Sequence, residues 1–197
     1  MLYNLVRFFV FGICFLISFI LVKKLSLSKK KAAFIFIVSY IVYAVIAITP
    51  FENAFVSFES PEEAFKYSKF GKIIMVTEAE ESSMVAYQKN GKTYSSFVTY
   101  KKGGEYKLAQ DWCVKKIHNK STDSLKFSIY KIDGTSDYYL KVFGFASEKE
   151  TLSDSNSKVF DLNYEIKNGN YYYYSLFAID FSSEYKLYFN GETIVFD

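Results

Sequence analysis

The chain has 197 residues, half of them hydrophobic and 20% aromatic, with a net charge of +3. That charge is split: residues 1–50 hold six basic side chains and no acid, while the other 18 basic residues share the rest of the chain with all 21 acids. The basic excess marks the N-terminal segment and not a nucleic-acid surface, so no nucleic-acid partner is expected.

Two charge-free apolar runs open the chain, Phe8–Val22 and Ala32–Ile48. The second has 17 residues, about 26 Å of helix at 1.5 Å per residue, enough for a thin bilayer. The composition predicts transmembrane helices over residues 5–22 and 32–48, with Arg7 near enough to the first end to snorkel to the headgroups. A cleaved signal peptide carries its positive charges in front and small residues behind. Here Lys23 and Lys24 follow the run and no A-x-A site is present. Ile13 precedes Cys14, where a lipoprotein site expects a small residue.

The connecting loop, residues 23–31, carries Lys23, Lys24, Lys29, Lys30 and Lys31. Short lysine-rich loops stay cytoplasmic, which places both chain ends outside the cell. The same lysines are the expected contacts for anionic lipid headgroups.

The remainder reads as two parts: an α+β subdomain with one short helix over residues 51–109, and a β-sandwich-like subdomain over residues 111–197. Phe51, Phe55 and Phe58 share one face if helical. They then lie on the membrane surface or pack beneath the domain, packing being the commoner fate. Ser60-Pro61-Glu62-Glu63 is a helix start, with Ser60 as cap, Pro61 at the first position and Glu63 completing a capping box. That role accounts for its paired carboxylates without invoking acid–base chemistry.

Beyond Gly71 the pattern is β. Asn90-Gly91, Gly103-Gly104, Asp133-Gly134, Asn168-Gly169 and Asn190-Gly191 each separate β-rich runs, a strong hairpin signal. Leu125, Phe127 and Ile129 alternate with polar neighbours, as do Phe160, Leu162, Tyr164 and Ile166, which predicts half-buried antiparallel strands. About seven short strands are expected after residue 111, with a polar loop from Ser153 to Ser157. Cys14 lies in the first helix and Cys113 far beyond it, so no internal disulfide forms and the domain stands on its core. Trp112 beside Cys113 suggests a buried thiol.

Catalytic signatures are missing from the sequence. His118 is the single histidine, which excludes a two-histidine metal site. No phosphate loop, dinucleotide turn, nucleophile elbow or C-x-x-C pair occurs. Asp154-Ser155-Asn156 lacks the glycine and terminal glutamate of a calcium loop. Asp133 and Asp137 fit turn chemistry, and Glu78, Glu80 and Glu81 read as a solvated loop. No cofactor, metal site or catalytic residue is expected. A hydrolase would need two carboxylates converging about 5–10 Å apart, such as Glu78 and Glu80.

The excess is aromatic, with 18 Tyr and 21 Phe. Tyr171 to Tyr174 lie on a predicted strand, two facing in and two facing out. Tyr172 and Tyr173, with Tyr138 and Tyr139 if adjacent, are the candidate binding residues, because exposed tyrosine is favoured at protein interfaces.

The run Pro50-Phe51-Glu52-Asn53-Ala54-Phe55, continuing through Phe58 and Ser60-Pro61-Glu62-Glu63-Ala64-Phe65-Lys66-Tyr67, resembles small bacterial membrane proteins of unknown function. These have two N-terminal transmembrane helices and a β-rich extracytoplasmic domain, and the resemblance covers residues 30–110. It implies that architecture and brings no catalytic or ligand-binding residue. Tyr185-Lys186-Leu187-Tyr188-Phe189-Asn190-Gly191 resembles the closing hairpin of immunoglobulin-like sandwiches, a statement about fold alone.

The expectation is therefore a multi-pass membrane protein whose extracytoplasmic, non-enzymatic domain binds a protein or cell-wall partner. The alternative is a regulatory or immunity-type accessory subunit that pairs with another membrane protein through its helices.

Overall fold

The computed structural model describes residues 2–26, 28–181 and 184–196. Helix α1 runs Leu2–Lys24 and α2 runs Lys29–Ile48, both long and apolar enough to cross a bilayer. They lie antiparallel: Phe11 meets Tyr43, Phe15 meets Phe36, and the Ser18 and Ser39 hydroxyls share a hydrogen bond of 2.5 Å. The helices run further than the sequence pattern predicts. Lys23 and Lys24 form the last turn of α1, and Lys29, Lys30 and Lys31 form the first turn of α2. All five are exposed at the far end of the hairpin.

At the near end Arg7 is buried, not extended toward solvent. Its Nε and Nη2 donate to the Glu52 carboxylate at 3.2 and 3.3 Å, and Nη2 also donates to the Thr49 carbonyl at 2.7 Å. Nη1 donates to the Ala47 carbonyl. One guanidinium thus satisfies carbonyls at the exit of α2 that have no helical partner. Its plane also lies over the Tyr3 ring, 4.1 Å from the centroid.

A 3₁₀ turn, Phe51–Ala54, leads to helix α3, Pro61–Ser68. The cap expected of Ser60 forms: its Oγ accepts from the Glu63 amide at 3.2 Å, and Glu63 Oε2 accepts from the Glu59 amide. The three phenylalanines before it do not share a helical face. Phe58 pairs with Tyr106 in the core, whereas Phe55 stands in solvent. The 3₁₀ turn stops at Ala54, so the helical spacing has no helix to act on.

Among the described residues thirteen strands follow: β1 Lys72–Glu78, β2 Ser82–Lys89, β3 Lys92–Lys102, β4 Glu105–Leu108, β5 Val114–Ser121, β6 Leu125–Ile132, β7 Tyr138–Ala146, β8 Leu152–Asp154, β9 Val159–Phe160, β10 Tyr164–Lys167, β11 Asn170–Ile179, β12 Tyr185–Phe189 and β13 Glu192–Phe196. They make three antiparallel sheets, ordered β1-β2-β3-β4, β10-β11-β7-β6-β5 and β13-β12-β8-β9. Each Asx-Gly or Gly-Gly pair read from the sequence falls between paired strands. Asn90 and Gly91, at φ 51° and 75°, hold the positive angles that a two-residue hairpin requires.

Three buried clusters order the layers. Phe65 of α3 packs with Val85, Phe97, Tyr106 and Leu108 on one face of the first sheet. Met84, Ala86 and Val98, on its other face, meet Ile132, Tyr139 and Leu176 of the second sheet. The opposite face of the second sheet carries Leu125, Phe127, Ile129, Leu140 and Val142 against Leu152, Leu187 and Phe196 of the third. At roughly 1.5–3 kcal/mol per fully buried large apolar side chain, these clusters are the main stabilising term.

Among the described residues of 111–197 there are nine strands, not about seven, and one expected strand divides. The run through Phe160, Leu162, Tyr164 and Ile166 crosses from the third sheet to the second, so its first pair is buried and its last pair exposed. Ser153 and Asp154 belong to β8 and not to a loop. The Asp154 carboxylate accepts from the Asn156 and Lys158 amides, both at 2.9 Å, and from Tyr185 Oη at 3.1 Å.

Candidate functional site

The second sheet lies between the other two, and the first sheet covers one end of its face, around Ile132, Tyr139 and Leu176. Beyond half-buried Tyr130 and Tyr174, that face carries exposed side chains. Phe143 and Phe145 on β7 are 51% and 58% exposed, and Tyr172 on β11 is 41% exposed. Strand register explains their meeting: Tyr172 lies opposite Phe145 and Tyr174 opposite Phe143, and directly opposed antiparallel residues share a face. The Phe145 and Tyr172 ring centroids are 5.9 Å apart.

Lysines frame this strip. Lys126 lies opposite Phe143, and the Lys141 ammonium sits 5.3 Å from the Tyr174 ring centroid. Lys167 lies 6.0 Å from the Tyr172 ring and pairs with Glu165 at 2.5 Å. Among the described residues Lys116, Lys126 and Lys141 make no ion pair. Burial, aided by repulsion from Lys116, holds the Lys141 amine below its ordinary pKa. An anionic group placed here would reverse that repulsion.

Gly144 sits between the two phenylalanines at φ +156°, where a Cβ would lie 2.2 Å from the Ser124 carbonyl oxygen. The Phe145 amide donates to that same carbonyl at 3.1 Å. The strip is therefore held by close backbone approach, which only glycine permits.

Of the four tyrosines singled out from sequence, Tyr172 alone belongs to the strip. Tyr173 is buried; its Oη accepts from the Glu150 amide at 2.7 Å and donates to the Glu148 carbonyl. Tyr139 is buried between the first and second sheets, hydrogen-bonded to Ser82 Oγ at 3.0 Å. Tyr138 faces the opposite side, packed on Phe181 with centroids 5.2 Å apart. The outward partner of Tyr172 is Tyr174, and the additional residues are Phe143 and Phe145. Their strand is apolar on both faces, so alternation alone does not reveal which face the first sheet leaves uncovered.

No protein-family model, curated protein or solved structure matches the chain.

The acidic residues are engaged elsewhere. Glu78 accepts from Tyr106 Oη at 2.5 Å and from Lys101 at 3.3 Å, and the Tyr106 hydrogen bond chiefly lowers its pKa. Glu81 accepts from the Ser136 amide, while Asp137 accepts from Ser82 Oγ at 2.6 Å and from the Glu81 amide at 3.0 Å. Two of the three glutamates expected in a solvated loop thus tie sheets or strands together. A cleft of about 560 Å³ at this end is lined by Glu80, Asp137, Tyr138, Lys158 and Asp180. His118 packs at a tilt against Phe181 and edge-on to Phe196, with ring centroids 5.3 and 6.0 Å away. Among the described residues no group of three or more His, Cys, Asp or Glu side chains is placed to hold a metal.

Proposed function

We propose that this is a membrane-tethered, non-enzymatic interaction protein. Helices α1 and α2 would span the membrane, and the β-rich domain would stand outside the cytoplasm and capture a protein partner of the envelope. The observation that carries the reading is the strip of exposed Phe143, Phe145 and Tyr172, with half-buried Tyr174 beside them, bordered by lysines that make no ion pair among the described residues. Buried aromatic anchors dominate the energy of protein interfaces, and a polar rim excludes water around them. A flat sheet face suits a macromolecular partner better than a small molecule, which needs a concave site. The charge complement is a partner segment with acidic groups flanking apolar side chains.

Support for the orientation comes from the lysines. Lys29, Lys30 and Lys31 sit in the first turn of α2, where cations oppose the helix dipole. Basic residues retained at an unfavourable helix end fit a topological role, and the positive-inside rule makes that end cytoplasmic. The second and third sheets face each other across one core, as the layers of a sandwich do.

The test is photo-crosslinking in intact cells, with benzoylphenylalanine at Tyr172 and, as control, at Tyr188 on the outer face of the third sheet. A discrete protease-sensitive adduct from position 172 alone supports the proposal. A polydisperse adduct removed by wall hydrolases would point to a wall polymer instead. Equal adducts from both positions, or none, would refute the strip as a binding surface.

A further inference from the structure

The junction between the helical hairpin and the β-rich region carries a second set of unexplained aromatics. Phe55 is 85% exposed, Phe70 76% and Trp112 64%. These values do not come from loose chain. Asn53 and Leu108 exchange two hydrogen bonds of 2.8 Å, and Lys107 Nζ donates to the Asn53 and Val56 carbonyls at 3.1 and 2.9 Å. Phe55 is thereby presented from a pinned segment. Gly71 brings the chain so close to β2 that a Cβ would lie 2.7 Å from the Gln88 carbonyl oxygen, and Phe70 precedes it on the outer side. Trp112 sits in a 3₁₀ turn whose next residue, Cys113, is buried.

Trp112 borders the hairpin exit, and Phe70 and Phe55 follow closely in sequence on residues that do. Trp112, Ser68 and Lys69 line one cleft of about 320 Å³ together with Tyr3, Ala47, Ile48 and Pro50. Phe70 follows Lys69 directly, and Phe55 lies three residues beyond Glu52, the partner of Arg7. Ile48, the last residue of α2, is itself exposed, so the apolar surface continues from the helix onto the domain's underside.

We infer that this underside is a membrane-contacting face: Trp112, Phe55 and Phe70 insert into the interface of the leaflet from which α2 emerges, and the domain rests on the lipid. Aromatic side chains favour that depth, where the ring leaves water and polar edges stay hydrated. The Arg7–Glu52 pair fixes the domain against the helices at the height this contact requires. The inference rests on the reading of α1 and α2 as membrane spans.

Trp112 is the only tryptophan in the chain, so its fluorescence reports on this face alone. The full chain is reconstituted into vesicles of phosphatidylethanolamine and phosphatidylglycerol, with bromine on the acyl chains either near the headgroup or near the chain end. The expected result is emission quenched more by the shallow bromines than by the deep ones and shielded from aqueous iodide. The double variant F55S/F70S, with an unchanged circular dichroism spectrum, should lose part of the shallow quenching. Full iodide quenching with no effect of brominated lipid, in protein that resists alkaline carbonate extraction, would overturn the inference and leave the spans intact. Release by carbonate would overturn the spans and the inference with them.

Discussion

Arg7, near the start of α1, and Glu52, just beyond α2, lie 45 residues apart in sequence and meet in a buried bidentate contact. Replacing Arg7 with Met removes the cation paired with Glu52 and takes a donor from the carbonyls of Ala47 and Thr49. Losing one partner of a buried pair costs about 3–5 kcal/mol, because the other charge stays behind uncompensated. Glu52→Gln should be milder, since the amide oxygen still accepts one guanidinium bond. In the double variant R7M/E52L neither charge remains, and the cost should fall well below the sum of the single changes. The local readout is hydrogen exchange at Phe55 and Val56, whose amides donate to the Glu52 carbonyl at 2.9 and 2.8 Å. A loss of about 3 kcal/mol of local stability accelerates exchange on the order of 10²-fold. Measured by mass spectrometry on the full chain in nanodiscs, R7M should show that acceleration and R7M/E52L should recover much of it. Equal acceleration in the single and double variants would refute the argument, since it would mean the pair is not coupled.

Two further substitutions follow from the same reasoning. Gly144→Ala forces a Cβ toward the Ser124 carbonyl oxygen at 2.2 Å in a positive-φ conformation; chemical denaturation should show a loss of more than about 2 kcal/mol. Gly134→Ala, at φ +83° with no atom within 4 Å, should cost only about 1–2 kcal/mol. Tyr106→Phe tests the pH response. The hydrogen bond to Tyr106 holds Glu78 below its ordinary 4.5, so its contribution is present above that pH and lost as pH falls below it. Burial, with Glu78 beside it, lifts Tyr106 from 10.0 to about 12, so its contribution is present below pH 10.0 and lost as pH rises toward 12. The variant should flatten both limbs of the stability profile; an unchanged profile would show that the pair contributes nothing.

Local signals in the sequence translated directly into structure. The Ser60 cap, the Asn-Gly hairpins and the Leu125–Phe127–Ile129 alternation each depend on residues a few positions apart, and each appears where the pattern places it. What depended on distant layers was not legible. Tyr139 and Tyr173 look equivalent to Tyr172 in sequence, yet the first sheet covers one and the third-sheet core takes the other. Phe143 and Phe145 carry no local signal that marks them out, since their exposure depends on where the first sheet ends. Arg7 reads as a snorkelling side chain because its partner, Glu52, is named by no periodicity. Trp112 is exposed although its neighbour Cys113 is buried, since a 3₁₀ turn points adjacent side chains apart.

The central claim is that the β-rich domain is tethered outside the cytoplasm, and C-terminal topology tests it most directly. Alkaline phosphatase, active only outside the cytoplasm, is fused after Asp197 and compared with a cytoplasm-active reporter at the same site. High phosphatase activity is the predicted result. Low phosphatase activity at normal expression, with an active cytoplasmic reporter, would place the domain inside the cell and contradict the account.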